Sequence, residues 1–162
     1  MNIYFFRPYD NYGFLSNWWN CSFKGTIGDT EYSFNSTEQY FMAYKAYYFS
    51  DTESFNRILQ TRSPLDAKTI GRAVKNFNVE RWNLERDTVM YRALQYKFKG
   101  ELADKLLSTG NAKLYEASPY DRIWGIGLSV HVARQLSPDE YPGENRLGKL
   151  LERLREELQK SR

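Results

Sequence analysis

Glu38, Lys45, Arg72, Asp121, Arg122 and Arg146 are charged residues set inside otherwise apolar or aromatic stretches, and Asn17 and Asn145 are amides placed the same way. Trp82 and Trp124 supply flat apolar walls with a polar edge. The residue types suit hydrolysis of a bond at an anomeric carbon. One carboxylate activates water or stabilises an oxocarbenium-like state, and a second acid aids the departing group. Arg and Lys are the groups that hold a phosphate, and aromatic rings stack a leaving base. No serine elbow, P-loop or dinucleotide fingerprint accompanies them. Composition does not select this chemistry from other acid–base hydrolyses.

The densest of these stretches is Ser118-Pro119-Tyr120-Asp121-Arg122-Ile123-Trp124-Gly125-Ile126-Gly127. Pro119 discourages helix at its front, and Gly125 and Gly127 permit positive φ or a close approach to a ligand. The stretch reads either as a rigid pocket loop or as a structural turn anchored by Tyr120 and Trp124.

The chain of 162 residues is the size of one domain, and 41% hydrophobic with 27% charged residues marks it as globular. Aromatics reach 17%, enough for both a core and ligand-stacking walls. Net charge is +3 with acids and bases interspersed, which favours a pocket for a small anion over an extended nucleic-acid groove. A single cysteine, Cys21, excludes an internal disulfide and fits a reducing compartment. With one histidine, His131, it cannot build a Cys/His zinc site, and no metal or cofactor is expected. The N-terminal residues lack a leader pattern and no apolar run approaches the roughly 20 residues that span a bilayer. The expectation is a soluble, cytoplasmic protein.

The elements that position these groups follow from spacing and caps. Ile3 to Phe6 is β-prone, and Cys21–Ile27 and Thr30–Phe34 alternate around a glycine-first turn, Gly28-Asp29, as a hairpin does. Ser36 and Gln39 form a capping-box pattern opening a helix over 37–49. Glu38 and Lys45 share a stripe of it, about 10 Å apart along the axis. The plainer reading of the pair is a dipole-stabilising first-turn acid and a snorkelling lysine. Asp51 caps a helix to about Gln60, and Ser63-Pro64 opens one to about Val74 that carries Gly71 and Arg72. The longest helix covers 79–98, its buried stripe Trp82, Val89, Met90, Ala93, Leu94 and Phe98. Then come a helix over 101–107, a strand over 113–117 leading into the 118–127 loop, a helical stretch over 129–135, and a last helix from about Asn145 to Gln159. The fold class is α+β: one helix-rich domain, 1–162, with a small β-sheet.

Taken in order, Phe14-Leu15-Ser16-Asn17, the Ser36-Thr37-Glu38-Gln39-Tyr40-Phe41 helix with Ala43 and Lys45, Gly71-Arg72, Trp82 with Met90 and Lys97-Phe98, Asp121-x-x-Trp124-Gly125-Ile126-Gly127, and Asn145-Arg146-Leu147-Gly148 resemble the NADAR (YbiA-like) family from nearly end to end. The resemblance implies an N-glycosidase. Some members cleave the ribosyl–nitrogen bond of phosphoribosylated riboflavin intermediates; others remove ADP-ribose from modified guanine, sometimes beside a DNA ADP-ribosyltransferase toxin. It implies an active site at Glu38, Trp82, Asp121 and Trp124, with Glu38 or Asp121 activating water. Lys45, Arg72 and Arg146 become phosphate candidates, Asn17 and Asn145 candidates for sugar hydroxyls, and Gly125 part of the substrate-binding loop. Where many members carry Gln, this chain has Met42 and Tyr44, leaving Glu38 and Lys45 in place. Partners are then a ribosyl-phosphate or ADP-ribosyl small molecule and, for the guanine branch, ADP-ribosylated DNA. The alternative function is an ADP-ribose or nucleotide-binding module without hydrolysis.

Overall fold

The structure, a computed structural model, describes residues 1–162. Its contacts divide the chain into two compact units, Asn17–Lys97 and a second built from Met1–Ser16 together with Phe98–Arg162.

In the Asn17–Lys97 unit, β1 (Phe23–Ile27) and β2 (Thr30–Phe34) pair antiparallel in the register Ile27↔Thr30, and Gly28 takes φ +64° in the turn between them. Gly25 lets β1 lie close against two rings: a Cβ there would stand 3.0 Å from both Tyr40 and Tyr96. Helix α1 (Thr37–Tyr48) starts where Ser36 Oγ accepts the Gln39 amide at 3.0 Å. Helices α2 (Thr52–Leu59) and α3 (Pro64–Arg72) follow, capped by Asp51 and Ser63 as their side-chain types dictate. Helix α4 (Val79–Lys97) buries Trp82, Val89, Met90, Ala93, Leu94 and also Lys97.

In the other unit, β3 (Asn2–Phe5) runs parallel to β4 (Lys113–Glu116), registered Asn2↔Lys113 through Phe5↔Glu116. The strand content therefore falls into two separate two-stranded sheets rather than one small sheet. A 3-10 turn at Gly13–Leu15, helix α5 (Glu101–Leu107), the single turn α6 (Val130–Ala133) and helix α7 (Arg146–Lys160) complete it. Leu147, Leu150, Leu151 and Leu154 are the buried face of α7. At Gly148 the helix touches β4 so closely that a Cβ would lie 2.0 Å from the Leu114 carbonyl oxygen. The fold class is α+β.

Candidate functional site

Glu38 stands in the first turn of α1 and is 7% exposed. Its backbone amide donates to the Asn17 carbonyl at 3.1 Å, and Thr37 Oγ1 donates to the Asn17 main-chain and side-chain oxygens, each at 3.1 Å. The Asn17 Nδ2 points to Met90 Sδ at 3.6 Å. Asn17 thus ties the start of α1, where Glu38 sits, to α4, and satisfies one of the amides that a helix start leaves open. Two turns on, Lys45 Nζ donates to the Gly71 carbonyl at 2.9 Å and lies 4.6 Å from the centre of the Phe77 ring. Burial pulls the Lys45 amine below its usual range; the Glu38 carboxylate opposes that shift and the Arg72 guanidinium adds to it. Glu38, Lys45 and Arg72 therefore share one electrostatic neighbourhood, with Arg72 exposed at the end of α3. Trp82 is 6% exposed and packs its ring 5.2 Å from Phe41 and 6.0 Å from Tyr48 and Phe49.

The loop after β4 is held by its own acid. Asp121 Oδ1 accepts the amides of Ile123 and Trp124, both at 2.9 Å, an Asx-type closure that short acidic side chains make readily. Gly125 needs no side chain for a protein reason: a Cβ would meet the Glu116 carbonyl and carboxylate at 2.9 Å and the Asp121 carbonyl at 3.0 Å. Gly127 is the loop glycine with positive φ, +75°. Asn145 adopts φ +52° and is 6% exposed, its Oδ1 accepting from the Glu116 amide at 3.0 Å and its Nδ2 donating to the Leu114 carbonyl at 2.8 Å. Its side chain is spent on β4, and its own amide donates to the Gly125 carbonyl at 3.0 Å. Arg146, first residue of α7, pairs with Glu144 at 3.0 Å and donates its amide to the Ile123 carbonyl. The unit thus gathers Asp121, Trp124, Gly125, Asn145 and Arg146 around one loop by main-chain hydrogen bonds.

Two buried polar residues that stand in the motifs take parts the motifs do not state. Gln39 accepts the Asn35 amide at 2.8 Å and donates to the Ile58, Leu59 and Thr61 carbonyls, closing the end of α2 instead of completing a capping box with Ser36. Lys97 is 3% exposed at the end of α4, and burial drags its amine down to about 7, opposed by the nearby Cys21. Its signal in the sequence is a lysine three residues after Leu94, on the apolar stripe. No group of three His, Cys, Asp or Glu side chains gathers to hold a metal ion, and no helix is long and apolar enough to cross a membrane.

Comparison with known proteins gives a consistent set of relatives. An N-glycosidase of Acanthamoeba polyphaga mimivirus is 38% identical over 148 residues, covering 90% of this chain and 87% of its own. The N-glycosidase YbiA of Escherichia coli is 34% identical, covering 96% and 88%. A riboflavin biosynthesis protein of Vibrio vulnificus is 33% identical across 97% of this chain, which spans 38% of that longer protein. The NMR structure of the E. coli protein YbiA superposes with a TM-score of 0.77 at 32% identity, covering 99% of this chain and 88% of that one. The NADAR domain model matches residues 4–159, and the chain belongs to the NADAR domain family.

Proposed function

We propose that the chain is an N-glycosidase that hydrolyses the ribosyl–nitrogen bond of a phosphoribosylated aminopyrimidine, the type of intermediate made early in riboflavin synthesis, or of ADP-ribosylated guanine. The names of the mimiviral and E. coli relatives support the bond type, and that of the Vibrio protein supports the first substrate. The observation that carries the reading is Glu38: an acid 7% exposed at a helix start held by Asn17, in the electrostatic neighbourhood of Lys45, which Arg72 shares. In the proposed step Glu38 takes a proton from water as the water oxygen bonds to the ribose anomeric carbon. The carbon–nitrogen bond breaks, its electron pair goes to the departing nitrogen, and that nitrogen takes up the proton that Glu38 removed from water, restoring the carboxylate. Lys45, Arg72 and Arg146 are assigned to phosphate, Trp82 and Trp124 to the base or ribose.

Asp121 keeps one oxygen on the Ile123 and Trp124 amides, so its assigned part is to hold Trp124 and offer its other oxygen to the substrate. Asn17 and Asn145, first candidates for sugar hydroxyls, are assigned to positioning Glu38 and the loop. The functional domain is taken as the whole of 1–162, in keeping with a family match that runs through both units. The test is a head-to-head assay on a phosphoribosylamino-pyrimidine and an ADP-ribosyl-guanine oligonucleotide, reading ribose phosphate and ADP-ribose. Hydrolysis of either supports the reading. Tight binding of both with intact ligand recovered would replace it with a binding module.

A further inference from the structure

A cleft separate in residues from every group assigned above lies along α7. It has a volume of about 410 Å³, and its lining carries Lys113, Lys149, Arg153 and Arg155 together with the acids Glu152 and Glu156. That volume is in the range of small-ligand sites, roughly 300–1,000 Å³. Four cations against two carboxylates leave a surplus of two positive charges. Most of the surface charges are already spent: Lys113 pairs with Glu152 at 3.5 Å and Arg153 with Glu157 at 3.6 Å. Glu152 also accepts the Leu114 amide at 2.9 Å.

Arg155 is different. It is 6% exposed, yet its guanidinium makes one hydrogen bond, from Nη1 to Thr109 Oγ1 at 2.8 Å. Five N–H donors make up a guanidinium, and its planar fork matches a phosphate or carboxylate oxygen pair. Burial depresses its proton affinity while Glu152 opposes that shift, so the group gains from an anion brought against it. Arg155 lines the cleft and spends one donor on Thr109, so the rest of its fork is left for a ligand there. Lys149, exposed one turn after the start of α7, supplies a second cation on the same lining.

We infer that this cleft binds the phosphate group of a small molecule, with Arg155 as the forked anchor and Lys149 as the outer cation. The site does not depend on the N-glycosidase reading, because none of its residues is assigned to that chemistry.

The test is a titration of the full chain with inorganic pyrophosphate, followed by amide NMR shifts. The expected result is a saturable set of shifts at Thr109, Asn111 and residues 149–159. Lys149→Glu weakens that binding by about tenfold or more, a factor equivalent to ~1.4 kcal/mol, with hydrolytic activity unchanged. Arg155→Lys, which keeps the charge and removes the fork, weakens it as well. Absence of saturable shifts at these positions, or binding undiminished in Lys149→Glu, overturns the proposal. A single-stranded oligonucleotide lacking terminal phosphate is the third arm. If it shifts the same amides more tightly than pyrophosphate, the cleft follows a strand backbone and the small-molecule assignment falls.

Discussion

Lys45 reaches the Gly71 carbonyl at 2.9 Å, and Gly71 is the residue whose missing side chain leaves room for Met42, three residues before Lys45 on the same helix. A Cβ at Gly71 would stand 2.0 Å from Met42 Sδ, 2.9 Å from Cγ and 3.1 Å from Cβ, so rotating the thioether alone does not relieve it. One contact between α1 and α3 therefore sets both the packing of the helices and the anchor of an amine. Gly71→Ala is expected to lose about 1–3 kcal/mol in denaturant unfolding, the usual cost of overpacking. Met42→Ala in the same chain is expected to recover part of that loss. Additive effects in the double mutant would show that the two positions do not share this space.

Glu38→Gln keeps the shape of the side chain and removes its base. Hydrolysis is expected to fall by about 10²-fold or more, the range of general base catalysis, with the unfolding midpoint nearly unchanged. Release of ribose phosphate or ADP-ribose at the wild-type rate would remove Glu38 from the mechanism.

Asp121 separates a charge from a hydrogen bond. Asp121→Asn retains an acceptor for the Ile123 and Trp124 amides, whereas Asp121→Ala loses it. The alanine variant is expected to be less stable than the asparagine variant by about 1 kcal/mol, the worth of a side-chain cap. Activity lost in the alanine variant and kept in the asparagine variant would identify Asp121 as holding the loop. Activity lost in both would give its charge a part in the reaction.

Lys97 makes stability depend on pH in a stated direction. Its folded-state value is about 7 against 10.5 for a free lysine, so between those values the unfolded chain binds more protons than the folded one. Its contribution is most favourable above 10.5, falls as pH drops, and levels off below about 7. Each unit of difference is worth about 1.4 kcal/mol, a few kcal/mol across the window. Unfolding of Lys97→Met beside the wild type, at pH 6 and pH 10, is expected to show the substitution more stabilising at the lower value. An equal difference at both would mean that the amine keeps its ordinary affinity in the fold.

Local signals in the sequence mark the elements well where one residue type settles the geometry. Ser36, Asp51 and Ser63 cap α1, α2 and α3 as their positions indicate, and Gly28 turns the β1–β2 hairpin with positive φ. The neighbourhood of Glu38, Lys45 and Arg72 is legible in part: two lie on one helical stripe, and Arg72 sits beside the glycine that α1 approaches. Pairings between distant segments are not legible. Nothing in Asn2–Phe5 names Lys113–Glu116 as its parallel partner, because the choice depends on packing over more than a hundred intervening residues. Asn145 shows the same limit: an asparagine before a helix reads as an ordinary cap, yet it takes a left-handed conformation and its amide reaches β4. Gln39 fits a capping box by spacing but answers three carbonyls at the end of α2, a role that only tertiary structure creates.

The two units also differ in how the chain supplies them. Asn17–Lys97 is one continuous run, while the other unit joins the first 16 residues to everything after Lys97. During synthesis the continuous unit can complete its internal contacts as soon as it leaves the ribosome. Strand β3, made first, must wait unpaired until β4 emerges, a closure over a long loop that slows folding and leaves an apolar edge open in the interval. A nascent chain with residues up to 97 clear of the ribosome and β4 still to emerge would accordingly carry one formed unit and a bare Ile3–Phe5 edge, which is where a chaperone or an aggregation contact would engage it.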